Sequence, residues 1–548
     1  MASDPTKPII DVDIPSDKDK KYDRQLRLWA ASGQTALEHA NILLVNSGGA
    51  TVGVETLKNL VLPGLGSFTI IDETIVTDED LGVNFFLEES DRGKSRAQCC
   101  MNHLLELNPG VCGNYFPKPN TRLDLLHVLH STGPFSIILY VLPLRSDQLA
   151  ILQTYKQESH TPSIAVQSSG LYSYFHVSLS GEFPVIETHP DEASTVDLRL
   201  LSPWPELTAF TGELTVNIND LGDFEHGHIP LVVILLYYLS VWRDEHGTAN
   251  PVAYSDKVAF RSMITNAMRK NNAEGGEENF EEAVSSVMKL IKPHCLPLSL
   301  EAIFKRCDDY EDIDSQFWTI ARAVKQFYSL HGQLPLPGNL PDMKAQSAVY
   351  RRLQKIYKEK AQQDLEDVFG LVRPMPGGDR ITQADVELFC KNARFIKLVN
   401  AEQRTKSTID ELIGESGLDR RVLMGFIAEK ELGQNEIATT AGHDMTASLI
   451  PIYLALTAIG QVSTNSEEDI LSHIRRRAPS LTGVQSDIIV RIAKEASRFA
   501  GGELHNTSAL TAGMVAQEMI KIITRQYVPM ENVCIYSGID SRCQIIQL

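Results

Sequence analysis

Helical spacing and short unbroken apolar runs alternate through the first third of the chain. Apolar residues recur every three or four positions in "KYDRQLRLWAASGQTALEHA", and the next segment, "NILLVN", is almost wholly apolar. The rhythm repeats with a helix from about Val52 to Leu60, a strand in "SFTIIDE", a helix over "GKSRAQCCMNHLLELNP", and strands in "FSIILYV" and "SIAVQ". Strands apolar on both faces, separated by helices, predict a parallel sheet covered on both sides.

After Leu179 the pattern changes. "SGEFPVIETHPDEASTVDLRLLSPWPEL" is dense in proline and turn residues and leads into a long helical middle, divided at "NNAEGGEEN", "LPLPGNLPDM" and "VRPMPGGDR". The chain ends with a helix over "HNTSALTAGMVAQEMIKIITRQ" and two strand-like runs, "NVCIYSG" and "RCQIIQL". The expectation is one α/β domain interrupted by a large, mainly helical insertion. Its boundaries are a disordered N-terminus at 1–20, too polar for a signal peptide, a first sheet-forming part at 21–178, the insertion at 179–495, and a closing part at 496–548.

Composition narrows the class. At 548 residues the chain is too long for one compact core, in agreement with the interrupted pattern. A net charge of -19 argues against a nucleic-acid binder. Eight cysteines without a CxxC pair offer neither a disulfide framework nor a zinc knuckle, so reduced thiols in the cytoplasm or nucleus are expected. The longest apolar run, "IPLVVILLYYLSVW", is too short to span a bilayer and reads as a buried helix, so no membrane association is expected.

The candidate chemistry lies in "NSGGATVG", between the first strand and the helix after it. A strand-loop-helix phosphate site uses one glycine to turn, a second to bring backbone up to the phosphates, and a third to pack helix on strand. Gly48 and Gly53 fit the first and third roles, whereas Ala50 puts a methyl group in the second. Asp72, at the end of the second strand, is placed either to bind a ribose or to make a strand-end turn. This loop alone would suggest a nucleotide-dependent oxidoreductase. Ala50 and the lack of a recognisable substrate domain oppose that reading.

The segments "KYDRQLRLW", "LKNLVLPGLGSFTIIDE", "LGVNFFLEESDRGKSRA", "HPDEASTVDLRL" and "TAGMVAQEMIKIITRQYVPMENVCIYSG" occur in an order that resembles the ubiquitin-activating enzyme (ThiF–MoeB) superfamily. Within it, the chain is similar to the regulatory subunits of the heterodimeric activating enzymes for Nedd/Rub-type ubiquitin-like modifiers. The resemblance runs from about Lys21 to Leu548 and implies a Rossmann-like adenylation fold whose insertion looks like a catalytic-cysteine domain lacking its thiol. It also implies that Lys94 matches a nucleotide-contacting lysine, and that Gly82, Val83 and Asn84 stand where active relatives carry Asn-Arg-Gln. Valine cannot supply an arginine's charge to the α-phosphate. Active relatives place a magnesium-binding aspartate after the next sheet strand, but in "IILYVLPLRSDQ" Asp147 lies beyond a proline turn. Gly48, Gly53, Asp72 and Lys94 are therefore vestigial candidates. No cofactor or metal is expected in this chain, since the resemblance assigns ATP and magnesium to the partner subunit.

The resemblance further implies that Arg24 of "YDRQ" reaches the ATP held by that partner, the catalytic subunit of the heterodimer. By spacing alone, Arg24 and Arg27 on one amphipathic helix would read as surface ion pairs. The ubiquitin-like modifier and, transiently, the conjugating enzyme are the other implied partners. A self-sufficient adenylating enzyme is the alternative, which Val83 opposes. The C-terminal helix, with Gln517, Glu518, Lys521 and Arg525 interspersed, is implied to pack back near the dimer interface. Cys295 adjoins His294, and a histidine can depress a thiol pKa, but the regulatory subunits lack the active thiol and no catalytic cysteine is assigned. Cys99 and Cys100 read as helix core, and His226 and His228 as loop histidines.

Overall fold

The computed structural model describes residues 16–270, 276–307, 315–400, 448–462, 464–479, 486–530 and 532–547. It divides into two units, one made of the chain up to Phe183 together with the chain from Val399 onward, the other of Pro184–Leu398.

Ten strands are present among the described residues: β1 (Asn41–Val45), β2 (Ser67–Ile71), β3 (Cys112–Phe116), β4 (Ile137–Val141), β5 (Ser163–Ser169), β6 (Tyr172–Ser178), β7 (Glu182–Ile186), β8 (Ile396–Asn400), β9 (Val533–Ser537) and β10 (Arg542–Ile546). Eight of them form one sheet in the order β10-β9-β6-β5-β4-β1-β2-β3, while β7 and β8 pair as a separate ribbon. The run from β3 to β5 is parallel, as the apolar pattern predicts, and β6, β9 and β10 continue it antiparallel. β1 lies between β2 and β4, with Val45 opposite both Ile71 and Tyr140. The strand order reverses at β1, so the ends of β1, β2 and β4 meet at the crevice where open α/β sheets bind ligands.

The helices of this region are α1 (Asp17–Lys21), α2 (Asp23–His39), α3 (Thr51–Val61), α4 (Asp78–Leu81), α5 (Arg96–Leu107), α6 (Leu125–Thr132) and α7 (Ser146–Ser159). Leu43 and Val45 pack with Leu129 of α6 and Leu152 of α7, while Leu44 faces α3 from the opposite side of the sheet. β3 and β6 escaped the sequence reading. The edge strand β3 buries only Tyr115, and β6 interleaves Ser173 and His176 with its aromatics, so neither shows an unbroken apolar run.

Two boundaries need correction. Residues 17–21 are helical, capped by Ser16, which accepts from the Asp19 N–H; residues 1–15 lie outside the described residues. The insertion ends near Leu398 rather than at 495, because the helices Ile450–Ala458, Glu467–Arg477 and Ser486–Phe499 belong to the first unit. The first of these is apolar all round and must be buried. Ile450, Ile452, Leu454 and Leu456 join Tyr172, Tyr174, Val533 and Ile535 in a core against β6 and β9. Periodicity marks such a helix as buried without saying against what. Residues 401–447 of the expected insertion lie outside the described residues.

The second unit is mainly helical. The run read as a buried helix is Leu231–Glu245, begun by Pro230 and buried along Leu231–Leu236 and at Leu239 and Trp242. A second core gathers Trp318, Phe327, Val368 and Phe389. Among the described residues no helix is long and apolar enough to cross a membrane.

Candidate functional site

The loop between β1 and α3 makes two left-handed turns, at Gly48 (φ 61°) and Ala50 (φ 60°). Glycine takes this conformation freely, whereas alanine takes it with strain. Gly53 sits against β1, where a Cβ would stand 2.5 Å from Asn46 Oδ1 and 2.8 Å from Leu44. Ala50 is buried and begins α3 without a side-chain cap, so the first N–H groups of the helix need an acceptor from elsewhere.

That acceptor is Glu503. Its carboxylate accepts from Thr51 N at 2.6 Å and from Val52 N at 3.3 Å. Gly49 lets it approach, since a Cβ there would meet Glu503 Oε2 at 2.9 Å. A helix N-terminus attracts anions through its free N–H groups and its dipole, and here the anion is the chain's own. Burial pushes the Glu503 carboxyl above the ordinary glutamate value, against the pull of these two N–H groups.

Asp72 is committed as well. Arg96 grips it through Nε to Oδ2 at 2.7 Å and Nη2 to Oδ1 at 3.2 Å, and Thr74 N donates to Oδ1 at 3.1 Å. The same guanidinium reaches Asp80 Oδ1 at 2.7 Å. All three side chains are buried. Burial opposes the charge on Arg96, and the two carboxylates overcome it and hold the group above the ordinary arginine value.

The other expected positions surround this triad. Lys94 is largely exposed and lies 3.4 Å from Asp91. Burial would raise the Asp91 carboxyl, but His103, the Glu88 N–H and Lys94 together bring it down to about 2. Gly82 ends α4, Val83 is half-buried, and Asn84 is buried with its amide 3.6 Å from Cys100 Sγ. Phe85, exposed beside them, stacks on His505 with ring centres 3.8 Å apart, and His505 Nε2 lies 3.2 Å from the buried Glu55. Asp147, in the first turn of α7, pairs with Arg145 at 3.2 Å, and Arg145 reaches Glu73 at 2.8 Å.

Arg24 differs from all of these. It lies on the exposed side of α2 and makes no ion pair among the described residues, whereas Arg27 pairs with Asp23 at 3.0 Å. One turn on, Leu28 is 52% exposed, so an arginine and a leucine face solvent together. The C-terminal helix, His505–Thr524, packs on α2 and α3; its Glu518 is buried and pairs with Lys521 at 2.6 Å, while Gln517 is exposed and Arg525 lies over the Phe183 ring.

The remaining candidates stand apart. Burial pushes the Cys99 and Cys100 thiols up to about 11 and 12. In the second unit Cys295 is exposed, and His294 turns to Asp197, 3.2 Å away. His226 is a buried histidine rather than a loop one: its Nδ1 meets Glu277 at 2.5 Å and its ring stacks on Phe280. His228 bonds the Phe224 carbonyl. Among the described residues no group of His, Cys, Asp and Glu could hold a metal ion.

Sequence reading missed Glu503, Arg96 and Arg145. Glu503 follows Gly501 and Gly502 just before a helix, a weak sign of a carboxylate delivered by a turn. Arg96 and Arg145 carried no sign of their partners.

A model of the ThiF family matches residues 22–185. Over 558 residues the chain is 34% identical to the NEDD8-activating enzyme E1 regulatory subunit of Xenopus laevis, covering 97% of this chain and 99% of that protein. The regulatory subunit of Gallus gallus is 33% identical over 565 residues, with 97% and 98% covered. That of Danio rerio is 33% identical over 567 residues, with 98% and 100% covered.

Proposed function

We propose, from the premise that this chain belongs to the family of NEDD8-activating enzyme E1 regulatory subunits, that it serves protein neddylation as the noncatalytic half of a heterodimer. A separate catalytic subunit holds ATP and magnesium, adenylates the C-terminal glycine of the modifier, carries it as a thioester on its own cysteine, and passes it to the conjugating enzyme. This chain completes the pair and supplies Arg24 to the partner's nucleotide. Adenylation expels pyrophosphate, so a cation fixed beside the phosphates lowers the barrier as charge builds up there.

One observation carries this reading. The groups a nucleotide would need in this chain are bonded internally, Asp72 to Arg96 and the α3 N–H groups to Glu503, while Arg24 stands exposed and makes no ion pair among the described residues. The residues present do not fit a nucleotide. A buried carboxylate at the helix N-terminus repels phosphate, and Val83 adds no positive charge. No catalytic step is therefore assigned to this half of the pair.

The test is to purify the chain alone and with its catalytic partner, then measure ATP–pyrophosphate exchange and thioester formation with the modifier. The lone chain is expected to be inactive and the pair active, with Arg24→Ala slowing adenylation while the pair still assembles. Activity in the lone chain, or a fully active Arg24→Ala pair, overturns the proposal.

A further inference from the structure

We propose that Glu503 is an internal anion that holds the glycine loop shut, occupying the α3 N–H groups that a phosphate would use, and that removing its carboxylate opens the loop to a polyphosphate chain. The inference deepens the reading above by naming what closes the half-site, and it rests on that reading.

The geometry is that of a bound oxyanion. Each carboxylate oxygen takes one of two consecutive N–H groups, Oε2 from Thr51 and Oε1 from Val52. Glu503 is 8% exposed, and among the described residues no lysine or arginine pairs with it. A carboxylate buried without a direct ion pair is costly, and the helix N-terminus is its main compensation, with the Thr51 side chain and the Arg96 charge adding smaller contributions. The absence of a side chain at Gly49 is what allows the approach.

The carboxylate is also delivered by a built turn. Ala500 (φ 48°) and Gly501 (φ 98°) reverse the chain after the helix Ser486–Phe499. Gly170 N then donates to Gly502 O at 2.8 Å, and Gly501 N donates to Ser169 Oγ at 3.2 Å, tying the turn to the end of β5. Gly170 must be glycine, because its φ is 56° and a Cβ would stand 2.1 Å from the Phe499 ring. On the far side, His505 bonds Glu55 of α3. Glu503 is thus held next to the two N–H donors of α3 from both flanks. An intramolecular ligand held this way faces the site at an effective concentration of about millimolar or more, enough to exclude weakly bound phosphates.

A purely structural cap would look the same in a stability measurement, so the test reads anion binding. The full chain, alone and without modifier, is titrated calorimetrically with metal-free tripolyphosphate as wild type, Glu503→Ala and Glu503→Gln. Hydrogen exchange is followed at Thr51 and Val52. Wild type is expected not to bind. Glu503→Ala should bind at least about tenfold more tightly than wild type, and binding should slow exchange at both amides. Glu503→Gln keeps the space filled, so it should not bind, but its neutral amide should leave the two N–H groups exchanging faster than in wild type. A folded Glu503→Ala that does not bind, or a wild type that binds equally well, overturns the proposal. If Glu503→Ala does not fold, unchanged exchange in Glu503→Gln overturns it instead. None of these readouts involves adenylation, so failure here and failure of the regulatory role are separable.

Discussion

Around the glycine loop, the charged groups that could meet a nucleotide are bonded inside the chain: Glu503 to α3, Asp72 to Arg96, Lys94 to Asp91, and Asp147 to Arg145. On the first segment of α2, ahead of a kink at Trp29 and Ala30 and separated from that loop by β1, Arg24 stands in solvent beside the exposed Leu28. The difference teaches where to look for function in a fold of this kind. A charge satisfied internally contributes to the scaffold, whereas an exposed cation next to an exposed apolar side chain remains available to another molecule.

The hardest test of this contrast is Arg96→Ala. It would leave Asp72 and Asp80 buried without their counter-charge, at a cost of about 3–5 kcal/mol in urea unfolding. A loss below about 1 kcal/mol would break the comparison, since Asp72 would then be free for a ligand. Next comes Arg24→Ala in the assembled pair, expected to slow adenylation about a hundredfold while leaving the stability of this chain unchanged. Asp91→Asn should cost about 1 kcal/mol at neutral pH. Because the Asp91 carboxyl lies at about 2 when folded, below the ordinary aspartate value, its contribution is complete above about pH 4 and fades as pH falls toward 2. Unfolding followed against pH should therefore show wild type and variant converging in acid. Smallest is Arg27→Ala, which removes only an exposed pair on α2 and should change stability by less than about 0.5 kcal/mol and adenylation not at all.

Much of the scaffold was legible because it is written in local patterns. β1, β2, β4 and β5 appear as apolar runs, and α3 and α5 appear as helical spacing, whereas α4, α6 and α7 were not read. The helix over Leu231–Glu245 announced itself the same way. The end of the insertion did not, because the helix Ile450–Ala458 is apolar on every side and its text is the same whichever core receives it. His226 was misread for a related reason. Its neighbours in sequence are loop-like, and the Glu277 that buries it lies outside its own segment.

The sequence by itself determined the alternation that builds the sheet, the alanine at position 50 where a phosphate loop carries glycine, and the place of Arg24 on a helical segment. Each depends on residue identity and short spacing, which backbone geometry converts directly into helix, strand or turn. Only the tertiary structure decided how the half-site is closed, because Glu503 meets Thr51 across almost the whole chain, Arg96 is brought to Asp72 by the Ile75–Ser95 bridge, and Arg145 meets Glu73 because β2 and β4 flank β1. The physical reason is range: periodicity arises between neighbours along the backbone, whereas a buried charge is matched by whatever the fold brings beside it.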